Sequence, residues 1–335
     1  MNWSEGFSAQ YYACFVDPQT WEDTDRFEIK GGTIKRTDSG LRHSADLECD
    51  SYDQNTERWV RVYLDAKQTG SSAHVPLFTG IASAPEANLN GRQRSNTLTC
   101  YSALKAAQDV YLPLGYYASS GVSGALLVKQ LLADVIPAPI QIIGNSPALS
   151  QYIIAESGEN HLSMAEKILT AINWRLRMDG NGNVYICSMA SEVSVRFDPL
   201  SNDSIKPQLK TTNDWYNCPN VFRAVMEEVS AIARDDSLDN PLSTVNRGRE
   251  VWVEERDCNL ADMETLAEYA QRRLREEQRH YLIVSYDHRF FPELFPSDIV
   301  ELRYPEQKLD GAFYVSSQSF SIAYGAETSE EVIQI

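Results

Sequence analysis

The sequence holds only five histidines and six cysteines in 335 residues, and neither type is arranged for chemistry. Cys14, Cys49, Cys100, Cys187, Cys218 and Cys258 stand singly, with no CxxC and no histidine at ligand spacing. This excludes the common zinc patterns and predicts free, buried or half-buried thiols in a chain made in a reducing compartment. No apolar run approaches the ~18 residues of a membrane span, so no membrane insertion is expected. The opening Met1-Asn2-Trp3-Ser4-Glu5 lacks the basic and apolar regions of a secretory leader, so export by a standard leader is not expected. Positive charge is scarce too: 30 Lys and Arg against 47 Asp and Glu leave a net charge of −17. Such a surface disfavours binding to a phosphate backbone. Also missing are a G-x-S-x-G elbow, a P-loop, a G-x-G-x-x-G after a strand and an H-E-x-x-H. No residue is therefore assigned a catalytic, cofactor-binding or metal-binding role, and no cofactor is expected.

What is present is globular. The hydrophobic fraction of 43% and aromatic fraction of 10% are ordinary, and the length allows two or three domains. Residues 1–24 are aromatic and irregular and read as a short strand or packed arm. Residues 26–30 alternate, and Gly31-Gly32 is expected to turn the chain. The cleanest pattern covers 41–49, with Leu41, His43, Ala45, Leu47 and Cys49 opposed to Arg42, Ser44, Asp46 and Glu48. Period-two alternation of this kind makes a sheet with one wet face. Val60, Val62 and Leu64 continue it, set against Arg61 and Asp65. Strands at 75–82 and 95–101 follow, joined by a polar turn at 85–94. Several short strands in about 80 residues suggest a small barrel or sandwich.

The pattern then turns helical. Leu104, Ala107 and Tyr111 share a face, and Ser123 can cap a helix bearing Leu126, Leu127, Leu131 and Val135. Asn160 can cap another, with Leu162, Ala165, Ile168, Leu169 and Ile172 inward. Strands at 174–178 and 183–187 flank Asp179-Gly180-Asn181-Gly182, a hairpin signal. A strand is expected over 220–233, a loop over 234–249 and a strand over 250–255. Asn259 can cap a third helix carrying Leu260, Met263, Leu266, Ala270 and Leu274. Strands at 281–287, 299–304 and 312–324 finish the pattern. The fold class is α+β: two β units, each with helical insertions.

The chemical candidates are weak. His288 lies near Asp287, Glu293 and Asp298, where a metal or acid–base group could sit; a solvated loop histidine is the alternative. Glu227-Glu228 and Asp235-Asp236 read as solvated faces. Among paired aromatics, Tyr11-Tyr12, Tyr116-Tyr117 and Trp215-Tyr216 could be platforms or core. Phe290-Phe291-Pro292 and Leu294-Phe295-Pro296 sit in a loop-like stretch and are expected to be covered by a partner.

Three phrases carry a resemblance. Asn240-Pro241-Leu242-Ser243-Thr244-Val245-Asn246-Arg247-Gly248-Arg249-Glu250-Val251 resembles a stretch of the hub proteins of phage tails and contractile injection systems. Tyr216-Asn217-Cys218-Pro219-Asn220-Val221-Phe222-Arg223-Ala224-Val225 is similar to the strand opening that family's second barrel. Leu77-Phe78-Thr79-Gly80-Ile81, returning through Leu98-Thr99-Cys100 into a helix, looks like the end of its first barrel. The resemblance implies two tail-tube-like antiparallel β-barrel units per chain. It divides the chain into 1–102 (arm and first barrel), 103–190 (α-rich insertion with hairpin), 191–258 (second barrel, first part), 259–280 (helical insertion) and 281–335 (barrel completion and tail). It further implies a homotrimer whose six units match the sixfold tail tube on one side and the threefold spike on the other. The implied partners are a tail tube or tube-initiator protein, a central spike protein and a tape measure protein, with DNA only passing through the lumen. The implied location is the virion tail baseplate, assembled in the bacterial host cytoplasm. Some members carry a peptidoglycan-cleaving domain; this sequence stops shortly after Val332, so none is expected here.

Two other classes stay open from the sequence alone. A cell-wall polysaccharide or peptidoglycan hydrolase needs paired carboxylates in a cleft, and 47 acidic residues supply pairs too easily to be informative. A carbohydrate-binding module would use exposed Tyr and Trp.

Overall fold

The computed structural model describes every residue except 4, 51, 54, 91–92, 190–191, 198–204, 308 and 326. Seven strands come first: β1 (Ser8–Val16), β2 (Asp23–Phe27), β3 (Ile29–Thr37), β4 (His43–Cys49), β5 (Trp59–Gln68), β6 (Ser71–Asn90) and β7 (Gln93–Tyr101). The alternation at 41–49 becomes β4, with His43, Ala45, Leu47 and Cys49 buried and Asp46 and Glu48 exposed. Three expectations change. The aromatic arm is the nine-residue strand β1, held between β5 and β2. Gly31 and Gly32 lie inside β3 at a bulge; a Cβ on Gly32 would come 2.3 Å from the Asp46 carbonyl, so the glycines admit close backbone approach rather than a turn. The polar stretch 85–94 is mostly strand, because β6 bends at a bulge between Ala82 and Ala84 and continues against β7.

The helical module contains α1 (Leu104–Asp109), β8 (Tyr117–Ala118), α2 (Gly124–Ala133), β9 (Ile140–Ile143), β10 (Ile153–Ile154), α3 (His161–Ala171), β11 (Trp174–Met178) and β12 (Val184–Ser188). Ser123 and Asn160 cap α2 and α3, each accepting from a backbone N–H three residues on. The α3 stripe is buried as expected. The α2 stripe is rotated: Ala125, Val128, Leu131 and Leu132 are inward while Leu126 is exposed. The cause is Gly124, whose missing Cβ would sit 2.8 Å from Ile172, letting the start of α2 press against the end of α3. Tyr111 lies beyond α1 and is exposed, because α1 ends at Asp109.

The hairpin of β11 and β12 forms as its Asp-Gly and Asn-Gly signals predict, with Met178 paired to Val184. Its tip rests on the first β unit. Thr79 donates to the Gly180 carbonyl at 2.8 Å, and the Trp21 indole donates to the Asn181 carbonyl at 2.9 Å. A Cβ on Gly180 would meet the Pro76 carbonyl at 1.9 Å. Gly180→Ala is therefore expected to lose about 1–3 kcal/mol by overpacking, read as a lower urea midpoint. An unchanged midpoint would show that the tip is not docked.

The second half holds β13 (Val193–Phe197), β14 (Ile205–Asn213), β15 (Val221–Met226), β16 (Val229–Arg234), α4 (Thr244–Arg247), β17 (Trp252–Arg256), α5 (Leu266–Gln278), β18 (Leu282–Arg289), β19 (Ile299–Tyr304), β20 (Leu309–Ser321) and β21 (Glu327–Gln334). The stretch 220–233 is not one strand but the hairpin β15–β16, turning at Glu227 in the left-handed region, φ 53°. The helix expected from Asn259 starts at Thr265, which forms a capping box with Glu268. Met263, at φ 66° and 91% exposed, lies outside it. Arg272 and Arg273 do more than answer the helix dipole, since they pair with Glu264, Glu276, Glu255 and Glu277.

Thirteen strands form one sheet, ordered β14-β18-β21-β20-β3-β4-β7-β6-β5-β1-β2, with β19 and β13 branching from β20. Both β units share this ladder through a single seam, Ser317 to Ser321 opposite Thr37 to Thr33. Among the described residues it does not close, leaving β14, β2 and the branch strand β13 as end strands. The strands β15 to β17 build a separate sheet covered by α5. The residues read as opening the large second β unit thus belong elsewhere, and β13 and β14 open it instead.

Core polarity gives a pH prediction. His43 sits 3% exposed, cross-strand from Arg36, with its Nδ1 unpartnered among the described residues. Burial first, then Arg36, Arg42 and Arg177, hold its pKa well below the ordinary 6.5. The folded state keeps the ring neutral, so below pH about 6.5 the unfolded chain binds the extra proton. Stability from this group is complete above that pH and falls as the medium is acidified. His43→Leu is expected to flatten the acid limb of a stability–pH profile by about one proton; an unchanged slope contradicts this.

Candidate functional site

The most distinctive surface is a sheet face rather than a cleft. Alternation along β14, β18, β21, β20, β3, β4, β7 and the second half of β6 places every other residue on one side, and pairing lines these up. One row runs Asp287–Ser329–Ser319–Lys35–Ser44–Tyr101 and another Lys210–Ser285–Glu331–Ser317–Thr37. Further along, Thr33, Asp46 and Thr99 align, and then Glu48, Thr97 and Glu86. The face is almost wholly Ser, Thr, Lys, Asp and Glu, half-buried or exposed, and it crosses the seam between the two units without interruption.

Its polar groups are tied across strands. Ser329 donates to Asp287 at 2.7 Å and Thr99 to Asp46 at 2.9 Å, while Lys206 pairs with Glu327. The side chains therefore lie along the sheet. Asp46, Glu48, Glu86, Asp287, Glu327 and Glu331 outnumber Lys35, Lys206, Lys210 and Arg289, so the face is mildly negative. A shallow concavity of about 920 Å³ lies along it, bordered by Lys35, Lys210, Ser285, Ser319 and Glu331.

Behind this face the two units share a buried polar row. Arg36, 1% exposed, donates to the Leu77 carbonyl at 2.8 Å and lies over the rings of Phe295 and Phe320, 4.4 and 5.0 Å from its guanidinium carbon. Burial lowers its pKa to about 9, opposed by Asp179, so it stays charged at neutral pH. Its neighbour across the seam, Gln318, donates to Glu330 at 2.7 Å. Glu330 also accepts from the Tyr286 hydroxyl and faces His288 Nε2 at 3.4 Å. Burial and then Glu330 push the Tyr286 phenol well above its ordinary value.

The sequence candidates fall apart as chemical sites. His288 points into the core, and Asp287, its neighbour on an alternating strand, points to the wet face. Asp298 pairs instead with Arg177 at 2.8 Å, and Glu293 is exposed. Among the described residues no three His, Cys, Asp or Glu side chains form a possible metal cluster. Phe290 and its neighbours need no outside partner: Phe290 packs 6.1 Å from Trp3 and 5.2 Å from Phe320, carrying a loop of the second unit into the first core. Asp235 and Asp236 are not merely solvated. Asp235 accepts from Asn240 and Gln278, and Asp236 from Thr244 and Arg234. Trp215 and Tyr216 remain exposed, as do Tyr117 of β8, its partner Ile154 of β10, and Tyr152 just before β10.

The phrase 240–251 works as an internal clamp. Buried Asn220 donates to the carbonyls of Leu242 and Arg249, each at 3.0 Å, and accepts from Val251 N–H at 2.7 Å. Arg247 donates to the carbonyls of Cys218 and Trp215. Gly248, at φ 62°, terminates α4. These residues hold β15 to β17 together, and Trp215, Pro241, Asn246, Arg247 and Arg249 also border a shallow concavity of about 630 Å³. The wet face itself carries no motif; its clearest sequence signal is the polar side of the 41–49 alternation, Ser44, Asp46 and Glu48.

No family model matches the chain, and no curated protein matches it in sequence. The fold is shared with solved structures along almost the whole length. A tail protein from Neisseria meningitidis MC58 aligns with TM-score 0.74 at 13% identity, covering 98% of this chain and 97% of that one. The 43 kDa tail protein of prophage MuSo2 from Shewanella oneidensis gives 0.69 at 14%, covering 98% and 97%. An E. coli component of the type VI secretion system, described as structurally similar to T4 bacteriophage tail proteins gp27 and gp5, gives 0.56 at 8%, covering 92% and 74%. The chain thus has the fold of phage tail and type VI secretion proteins, a mostly β architecture with few helices.

Proposed function

We propose that the protein is the structural hub of a phage tail or phage-like contractile particle. In this reading it is a homotrimeric ring joining the sixfold tail tube to the threefold central spike. The observation that carries the proposal is the continuous wet face built from two four-strand sets, β14-β18-β21-β20 and β3-β4-β7-β6, meeting at one seam. Three copies would present six such sets, which is how a threefold object can match a sixfold tube. The fold shared with tail proteins supports the same reading.

The wet face would line the lumen. Short, cross-tied polar side chains with a slight negative excess give DNA no basic groove to adhere to. Each β unit would curl as a tube-type barrel: the first within 1–102, the second from parts of 191–258 and 281–335, with 103–190 and 259–280 as insertions. The role is non-enzymatic. The partners are the tail tube or tube-initiator protein, the central spike and the tape measure protein, in a baseplate assembled in the bacterial cytoplasm. Mass photometry of the purified chain tests the reading: the expected species is about 113 kDa, three times the 37.8 kDa chain. A monomer at every accessible concentration counts against it.

A further inference from the structure

The small sheet under α5 leaves one strand edge unguarded. Its order is β16-β15-β17, so among the described residues β16 pairs on one side only. Residues 229–233, Val-Ser-Ala-Ile-Ala, carry no charge, and Val229 and Ile232 are 61% and 53% exposed. Open edges elsewhere are blunted by charge within the strand: Asp25 and Arg26 in β2, Arg196 in β13, Glu254 and Glu255 in β17. An exposed edge without such charge is a template for another strand.

The register shows which backbone groups are on offer. Met226 and Val229 close the hairpin around the two-residue turn Glu227-Glu228, and a closing pair of this kind exchanges both hydrogen bonds. The same parity holds at the far end, where the Asp235 N–H donates to the Asn220 carbonyl at 3.0 Å. Pairs in between alternate, so Ser230 and Ile232 turn their N–H and C=O away from β15 toward the open side. Ala231 and Ala233 pack into the core under α5, which leaves Ser230 and Ile232 on the uncovered face, opposite Val225 and Arg223.

Charge at the two ends says what fits. Glu227 and Glu228, exposed at the turn, meet no cation among the described residues. At the other end Arg234 is already engaged by Asp236 and Glu250. A second copy is a poor occupant: two β16 edges in full antiparallel overlap set Glu227 and Glu228 of one copy against Asp236 and Asp235 of the other. A strand with a basic residue at the turn end suits the edge better.

We propose that β16 takes an added strand from a partner protein. The incoming segment is extended, alternates apolar and small polar residues along 229–233, and is basic where it passes Glu227 and Glu228. Antiparallel pairing, the more stable geometry, places that basic residue at the segment's C-terminal end. The site is the same whether or not three copies form a ring.

The probe is a fluorescein-labelled Thr-Val-Thr-Val-Thr-Lys-Lys peptide, followed by fluorescence anisotropy on the full chain. Saturable binding is expected. Ser230→Pro removes an outward N–H and spares the bonds to β15, so it should weaken binding about tenfold. Ile232→Lys and Glu227→Lys should weaken it too, and so should moving both lysines to the peptide's N-terminus. A urea midpoint near that of wild type shows that a variant is folded; if Ser230→Pro is not, Ile232→Lys carries the test. No saturable binding up to ~1 mM overturns the proposal, as does binding that the folded variants leave unchanged. A Ser230→Pro chain that assembles into smaller particles than wild type by mass photometry shows that a second copy holds this edge, and overturns the assignment to a partner protein.

Discussion

Arg36→Ala is expected to lose about 3–5 kcal/mol, a large share of the ~5–15 kcal/mol that holds a domain. The reason is position. The side chain is buried where β3, β6 and the loop 290–298 meet, fills the space beside Phe295 and Phe320, and satisfies the Leu77 carbonyl at 2.8 Å. Truncation opens a cavity and orphans that carbonyl together. Its charge is a lesser part, since burial already lowers the pKa to about 9 and its Nε has no partner among the described residues. Arg36→Met keeps most of the volume without the charge and should cost less than half as much. Urea unfolding followed by tryptophan fluorescence separates the two. Equal losses would mean that the charged hydrogen bond to Leu77, not packing, is what Arg36 supplies.

The second large effect is at Glu330. Glu330→Leu keeps the approximate shape but removes the acceptor of Tyr286 and Gln318 and the carboxylate facing His288. Leaving buried donors unsatisfied is expected to cost about 2–4 kcal/mol. Adding Gln318→Leu removes one orphaned donor, so the double variant should be more stable than the sum of the singles predicts. Strict additivity in chemical denaturation would show that the two side chains do not interact. Both residues belong to the row behind the seam, so each test also probes the joint between the units.

Much of this fold was legible, and the failures have physical causes. The strands at 41–49 and 59–66 and the hairpin at 174–187 announce themselves because one face is core, or because Asp-Gly and Asn-Gly fix a turn. On β5 the expected wet face is covered: Arg61 is buried, bonded to Thr79 and Asp23 beneath the hairpin tip, and no local pattern encodes a distant segment. The last strand, β21, lies beyond the final strand expected at 312–324, in the stretch expected to be a tail, and its Glu330 is buried among side-chain donors. In β20 a bulge between Val315 and Ser317 switches which residues face inward, so Phe313 and Val315 share the core with Gln318 and Phe320. A steady alternation across that strand mixes the two faces. The candidate site was harder still. Serine and threonine on a wet face carry no catalytic spacing, and only pairing across eight strands turns them into one surface.

The central claim is that two β units per chain let three copies imitate six. Electron-microscopic class averages of the purified particle at high protein concentration test this most directly. The expected image is a closed ring of three chains with six similar lobes around a central hole. Single chains, open filaments or twofold dimers would contradict it.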